Sequence, residues 1–342
     1  MAITVWFNES FSSIYNVISD IREADTKGLF HILCSHRNPE FLGIAASHVS
    51  AVEPSGVTGE GYVEYCLEMC KRYEVKLFLP TRGAIALAQR YVDFIAIGTK
   101  LLSCADSNTL DIINNKARLY SNIDPAIVNI PDYKTVTTVS EFEEAVGWLK
   151  ERHSRLCLKP SVSVHGIGFK ILANNITEYD CVMSDTGTKI GIEQMQGALK
   201  DKTVFKELMV MQYLEGAERS IDCLADNGSL IRLVIRLKSS ELSYIQRFEH
   251  NPALTEIAKR LTAALRLNGI YNIQFKDSGS THYLLEINTR MSGGLHYSTL
   301  SGLNIAYWAL CLFSGQCTES DIPSPNTGLK IAKIPAAVVL GM

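Results

Sequence analysis

Residues 285–304 read LEINTRMSGGLHYSTLSGLN. Glu286 and Asn288 stand two residues apart on a stretch of strand character, so both side-chain oxygens project from one face. Hard oxygen ligands of this kind suit Mg²⁺ shared with substrate phosphates. Arg290 continues the same alternation and can neutralise charge on a phosphoryl group in transfer. A surface strand with alternating polar residues would read similarly. The preceding Leu284 and Leu285 argue instead for a buried sheet, where a carboxylate needs compensation. On the strand before it, YNIQF (271–275), Gln274 offers a third oxygen to the same metal pair.

Three clusters lie upstream. In VMQYLEGAERSID (210–222) the chain has the form of a passage between two domains, which can read an adenine through backbone groups while Glu218 accepts both ribose hydroxyls. A plain hairpin with a Gly-Ala turn is the alternative. IRLVIRLK (231–238) sets Arg236 and Lys238 on one face, which is otherwise a solvated strand face. LCLKP (156–160) runs into SVSVHGIG (161–168), so Lys159 ends a strand and Gly166 and Gly168 follow in a flexible loop. Backbone N–H groups and one ammonium can surround a phosphate there. A structural hairpin has the same composition, and no P-loop is present because G-K-[ST] is missing.

The first third alternates short apolar runs, ITVWF (3–7), LFHILCS (29–35) and VKLFLPT (75–81), with helical stretches at 10–24 and 60–73. That is the βαβ rhythm of a doubly wound parallel sheet. The turn after the first run is FNESFSS, without G-x-G-x-x-G, which argues against a dinucleotide-dependent dehydrogenase. Further on, SEFE at 140–143 has the form of a capping box opening a helix. The run at 155–172 reads as a strand interrupted by a loop. LMVMQYL, RSIDCLA and LIRLVIRLKS then form a second strand series, with DNG at 226–228 as a hairpin turn. Helices are expected at 252–268 and 303–314.

The 342 residues carry 33 Lys plus Arg against 36 Asp plus Glu, a net charge of −3, which excludes the strong basic excess of a dedicated nucleic-acid binder. No stretch approaches ~18 uninterrupted apolar residues, so no membrane span is expected, and MAITVWFNES lacks the basic start of a signal peptide. The nine cysteines are scattered, with no C-x-x-C pair. They predict a reducing, cytoplasmic setting, and Cys66 and Cys70, one helical turn apart, read as a buried stripe.

In this order the clusters resemble the ATP-grasp superfamily, closest to its carbamoyl-phosphate-synthetase-like branch. They comprise a Rossmann-like start, NNKARLY (114–120), the Lys-Pro loop, Y-L-x-G-x-E-x-S-x-D, N-x-Q-F, and L-E-I-N-x-R followed by S-G-G. The resemblance covers about residues 1–315 and implies a mixed α/β and α+β protein. Its parts are an N-terminal Rossmann-like (pre-ATP-grasp) domain at 1–112, a lid or central subdomain at 113–205 and a C-terminal catalytic subdomain at 206–342. It further implies ATP and Mg²⁺, with two ions, and a carboxylate activated as an acyl phosphate for attack by an amine or a thiol.

Lys116 and Lys159 then match the two phosphate-contacting lysines, Met211 and Leu214 the adenine hinge, and Glu218 the ribose carboxylate. Gln274, Glu286 and Asn288 match the metal ligands, Arg290 the arginine facing the γ-phosphate, and Arg236 a second arginine near the transferring group. There are departures from the family pattern. The lid loop has His165 and only two glycines, Met211 replaces an acidic residue, and PTRG (80–83) offers Arg82 to a substrate carboxylate where relatives carry an acid. The partners implied are small-molecule carboxylates and amines, without nucleic acid or membrane, and the chain is compatible with a homodimer. An ATP-binding regulatory module without turnover is the alternative, against which the complete set Gln274, Glu286, Asn288 and Arg290 argues.

Overall fold

The computed structural model describes residues 2–11, 13–163, 166–174, 176–183, 188–239, 241–242, 244–334 and 337–338, and only the backbone at 178, 181 and 182. His165 and the side chain of Cys181 thus lie outside the described residues.

The first apolar runs form β1 (Ile3–Phe7), β2 (Phe30–His36), β3 (Val49–Val52), β4 (Leu77–Leu79) and β5 (Lys100–Leu101), in the order β3-β2-β1-β4-β5. All pairings are parallel, as the βαβ rhythm predicts. A parallel sheet is covered on both faces, and the alternation along β1 shows it. Val5 and Phe7 enter one core, with Ile14, Val17, Ile18 and Ile21 of the helix Ile14–Ala24. Trp6 enters the other, stacked on Phe78 at 4.1 Å, with Tyr62, Cys66 and Cys70 of the helix Gly59–Arg72. Cys66 and Cys70 therefore form a buried stripe on that helix. β3 and β5, four and two residues long, are too short to stand out in the sequence.

A second sheet holds β6 (Tyr133–Val136), β7 (Leu156–Pro160), β8 (Lys170–Ala173), β9 (Lys189–Gly191) and β10 (Leu208–Gln212), in the order β6-β10-β7-β8-β9. Here β10 corrects the sequence reading. It does not open the later strand series but sits between β6 and β7, antiparallel to both. The helix expected from Ser140 begins at Val139, and its capping box is Thr138 with Glu141, because Thr138 is the residue left in extended geometry.

The third sheet comprises β11 (Glu218–Asp226), β12 (Ser229–Lys238), β13 (Ile245–Glu249), β14 (Gly269–Ser278), β15 (Thr281–Asn288) and β16 (Lys330–Ala332), in the order β15-β14-β11-β12-β13-β16. The Asp226-Asn227-Gly228 turn joins β11 to β12 with Asn227 at φ 45° and Gly228 at φ 87°, the left-handed pair such a two-residue turn requires. The helices Pro252–Ala264 and Ile305–Phe313 lie within the expected spans.

The chain divides into two units, and not at the boundaries read from the sequence. One comprises Met1–Ile113, Ala217–Phe275 and Glu286–Met342, and the other Asn114–Gly216 and Lys276–Leu285. The boundary at 205 moves to 216 because β10 is hydrogen-bonded into the sheet of the preceding segment. The platform at 1–112 and the segment from 217 are one unit because they share a core. Val5, Phe7 and Ile18 pack in the same apolar cluster as Leu224, Val234, Phe248, Leu303 and Leu310.

Candidate nucleotide and metal site

In the first unit, strand alternation presents the oxygen donors. Ile273 and Phe275 on β14 and Ile287 on β15 are buried, while Gln274, Glu286 and Asn288 keep partial exposure. Asn288 Nδ2 donates to Glu286 Oε1 at 3.0 Å, and Gln274 Nε2 donates to Asn272 Oδ1 at 3.4 Å. Each amide nitrogen is thus turned to a protein acceptor, and the two amide oxygens with the Glu286 carboxylate are hard oxygen donors of the type that suits Mg²⁺. Among the described residues no group of three or more His, Cys, Asp or Glu is arranged for a metal.

β15 ends at Asn288, so Arg290 is not held by strand alternation as expected. Its guanidinium stacks on the Phe11 ring at 4.2 Å and donates to the Met291 carbonyl at 3.1 Å. Burial lowers its pKa from the ordinary arginine value, and the Glu286 carboxylate pulls it partly back. Phe11, in the turn after β1, went unrecognised because nothing local links it to residue 290.

Arg236 is not on a solvated face. Its side chain is 3% exposed. It donates to Asp222 Oδ2 at 2.9 Å, Gln246 Oε1 at 2.8 Å, and the hydroxyls of Ser220 and Ser292 at 3.0 Å each. Gly294 lies against it so closely that a Cβ there would come within 2.5 Å of Nη1, so only glycine fits. His296 follows two residues later. Burial first, then Arg236, holds its pKa down to about 4, and its Nδ1 has no hydrogen-bond partner. Lys238 of the same strand is ion-paired with Glu218, the proposed ribose carboxylate.

In the second unit, Asn115 accepts at Oδ1 from the N–H groups of Ala117 and Arg118, both at 3.0 Å, and so caps the helix Lys116–Asn122. Lys116 is its first residue, buried, and donates to the Ser163 carbonyl at 3.0 Å. Tyr120, one turn on, donates to the carbonyls of Leu284 and Leu285 at 2.9 and 2.8 Å. Lys159 Nζ lies 5.5 Å from the Tyr120 ring centre and 3.5 Å from the Leu285 carbonyl. Pro160 ends β7, and Gly168 at φ 80° approaches it so closely that a Cβ would meet Pro160 Cγ at 2.7 Å. Between them, the Ser161 hydroxyl is wholly buried without a partner. An unpaired buried hydroxyl costs free energy, and this one belongs to the residue whose carbonyl accepts from the Lys116 N–H at 2.9 Å.

Met211 lies inside β10, in register with Cys157 and Tyr133, so its backbone belongs to the sheet. The ladder continues only through Gln212 N–H to Asp132 and Tyr213 N–H to Arg155, and Leu214 follows. Arg82 is committed within the protein. Its Nη1 meets Glu53 at 3.0 Å and Glu9 at 3.4 Å, and its guanidinium stacks on Tyr62. It therefore does not stand open to a substrate carboxylate as the sequence suggested.

Residues 204–337 match the family model described as ATP-grasp in the biosynthetic pathway with Ter operon. The carbamoyl phosphate synthase large chain of Agathobacter rectalis is 26% identical over 192 residues, which covers 52% of this chain and 17% of that one. A second such large chain, from Saccharolobus solfataricus, is 21% identical and covered to 21% of its length, so the chain spans about a fifth of these relatives. The N5-carboxyaminoimidazole synthetase of Staphylococcus aureus, solved with ADP, superposes with a TM-score of 0.67 at 12% identity, covering 96% of this chain and 81% of that one. An L-amino acid ligase from Bacillus licheniformis gives 0.64 at 13% identity, with 94% and 77% covered. The chain thus has the fold of these enzymes, and its residues 204–337 are similar to an ATP-grasp family.

Proposed function

We propose that this chain is an ATP- and Mg²⁺-dependent ligase that activates a carboxylate as an acyl phosphate and transfers the acyl group to an amine or a thiol, releasing ADP and phosphate. The observation that carries this reading is the oxygen donors Gln274, Glu286 and Asn288 on two neighbouring strands, with Arg290 two residues past Asn288. Lys116, Lys159 and the unpartnered Ser161 hydroxyl hold the phosphates, the backbone at Leu214 reads adenine beyond the end of β10, and Glu218 exchanges Lys238 for the ribose. Gln274, Glu286 and Asn288 would hold the Mg²⁺, two ions on this reading, which would supply charge neutralisation to the nucleotide phosphates. Arg290 stabilises the transferring phosphoryl group, so catalysis is positioning plus charge neutralisation.

The eight cysteines with described side chains are all free thiols, which supports a reducing cytoplasmic setting. A homodimer is included in the proposal and is checked by light scattering.

The deciding experiment assays ADP release over a panel of amino acids and other carboxylates, with and without amines. Release that requires one carboxylate and one nucleophile is expected. ATP binding with no turnover on any pair would favour the regulatory-module reading. In the same protein, ATP with Mg²⁺ should raise Tm more than GTP does, and equal shifts would remove the adenine assignment.

A further inference from the structure

Asp222, on β11, is 0% exposed, and each of its oxygens accepts two hydrogen bonds. Oδ1 takes Asn272 Nδ2 at 2.9 Å and Ser292 Oγ at 2.7 Å, and Oδ2 takes Arg236 Nε at 2.9 Å and Ser298 Oγ at 2.6 Å. An unpaired carboxylate at this depth is strongly unfavourable, so the four donors hold their positions as a group. Asn272 is equally buried. Its Nδ2 lies within hydrogen-bond distance of Ser220 Oγ, the Ile221 carbonyl and Asp222. That fixes which end of its amide is oxygen, and the oxygen meets Gln274 Nε2.

The two ends of a glutamine amide are nearly the same shape. Packing alone therefore does not choose between an outward oxygen and an outward NH₂, and only a hydrogen-bond partner does. An outward NH₂ would present donors to a cation and remove a ligand.

We propose that Asp222 and Asn272 are positioning residues for the metal site: Asp222 locks the Asn272 amide, and Asn272 locks Gln274 with its oxygen turned outward. The same carboxylate, through Arg236, Ser292 and Ser298, holds the segment that follows Arg290, with Gly294 seated on the guanidinium. Arg236 accordingly acts inside the protein and not on the transferring group. This inference rests on the reading of Gln274 as a metal ligand.

The test measures Mn²⁺ binding by the full chain in the presence of ADP, from the electron paramagnetic resonance signal of free Mn²⁺, with Tm recorded alongside. Asn272→Leu withdraws the acceptor from Gln274 and should weaken Mn²⁺ binding about 10- to 100-fold, the range seen when partners of metal ligands are removed. In a Gln274→Glu background the outer group has two equivalent oxygens and no orientation to lose. There the same substitution should change Mn²⁺ binding by less than about twofold. Equal weakening in both backgrounds, or none in the first, overturns the inference while leaving Gln274 a ligand. If Asn272→Leu does not fold, Asn272→Ser keeps a donor beside Asp222 and carries the same comparison. Wild-type protein that binds no Mn²⁺ with ADP would overturn the ligase reading itself, and the inference with it.

Discussion

Glu53 and Asp222 are buried carboxylates of the same unit, each with four donors that include one arginine. Glu53 lies just past β3 and accepts from Ser35 Oγ, Glu9 N–H, Tyr62 OH and Arg82 Nη1 at 2.7, 2.9, 2.8 and 3.0 Å. Those partners stand at or beyond the carboxyl ends of β1, β2 and β4 and on the helix Gly59–Arg72, so Glu53 ties the platform to itself. Asp222 binds β12, β14 and the segment after Arg290, and through Asn272 it reaches Gln274. The local chemistry is alike; what differs is what hangs on each hub. A buried, saturated carboxylate is a joint, and its functional weight is set by the elements it joins.

The comparison is broken most directly by removing each carboxylate. Glu53→Ala and Asp222→Ala each strand a partly or fully buried arginine, so each should lose about 3–5 kcal/mol in urea unfolding. Only Asp222→Ala should also weaken Mn²⁺ binding in the presence of ADP. Equal Mn²⁺ loss in Glu53→Ala would erase the distinction between the two hubs.

Glu286→Gln sharpens it from the side of the site. The amide keeps the size of the side chain but removes one negative charge from the cation. ADP production should fall by on the order of 10²-fold, the cost of misplacing a reacting group by ~1 Å, while Tm without ligand stays near wild type. A large drop in unliganded Tm would show that Glu286 is itself a structural joint.

In the second unit, Lys159→Ala should weaken ATP by about 1.5–3 kcal/mol, the scale of a hydrogen bond to a charged group. Unchanged ATP titration calorimetry would leave Lys159 as a hairpin residue packed on Tyr120.

The smallest effect concerns pH. His296 holds a pKa near 4 in the folded chain, against 6.5 as its ordinary value. Below pH 6.5 the unfolded chain therefore binds a proton that the native one refuses, and stability falls between about pH 6.5 and 4. Because the ring keeps some contact with solvent, the contribution is discounted to about 1–2 kcal/mol. His296→Gln should lose less stability than wild type between urea titrations at pH 7 and pH 4.5, and parallel losses would contradict the assignment.

Much of the frame was legible in the residues. Alternating apolar runs and helices dictated the parallel platform, since a strand buried on both faces needs continuous hydrophobicity. Asn227-Gly228 dictated its turn because few residues take two positive φ angles. Glu286 and Asn288 share a face because a strand repeats every two residues. These are local rules, and they act within a few residues of chain.

The tertiary structure decided the rest, through contacts between distant residues. β10 joined the sheet of β6 and β7 because hydrogen-bond partners are chosen in space, so the boundary moved from 205 to 216. Arg236 became buried although its strand alternates like an exposed one, because Asp222, Gln246 and Ser292 close over it. Arg290 is set by Phe11, some 280 residues away in sequence. Periodicity states which face a side chain takes, but only packing supplies the opposing groups that turn that face into a core, a joint or a binding site.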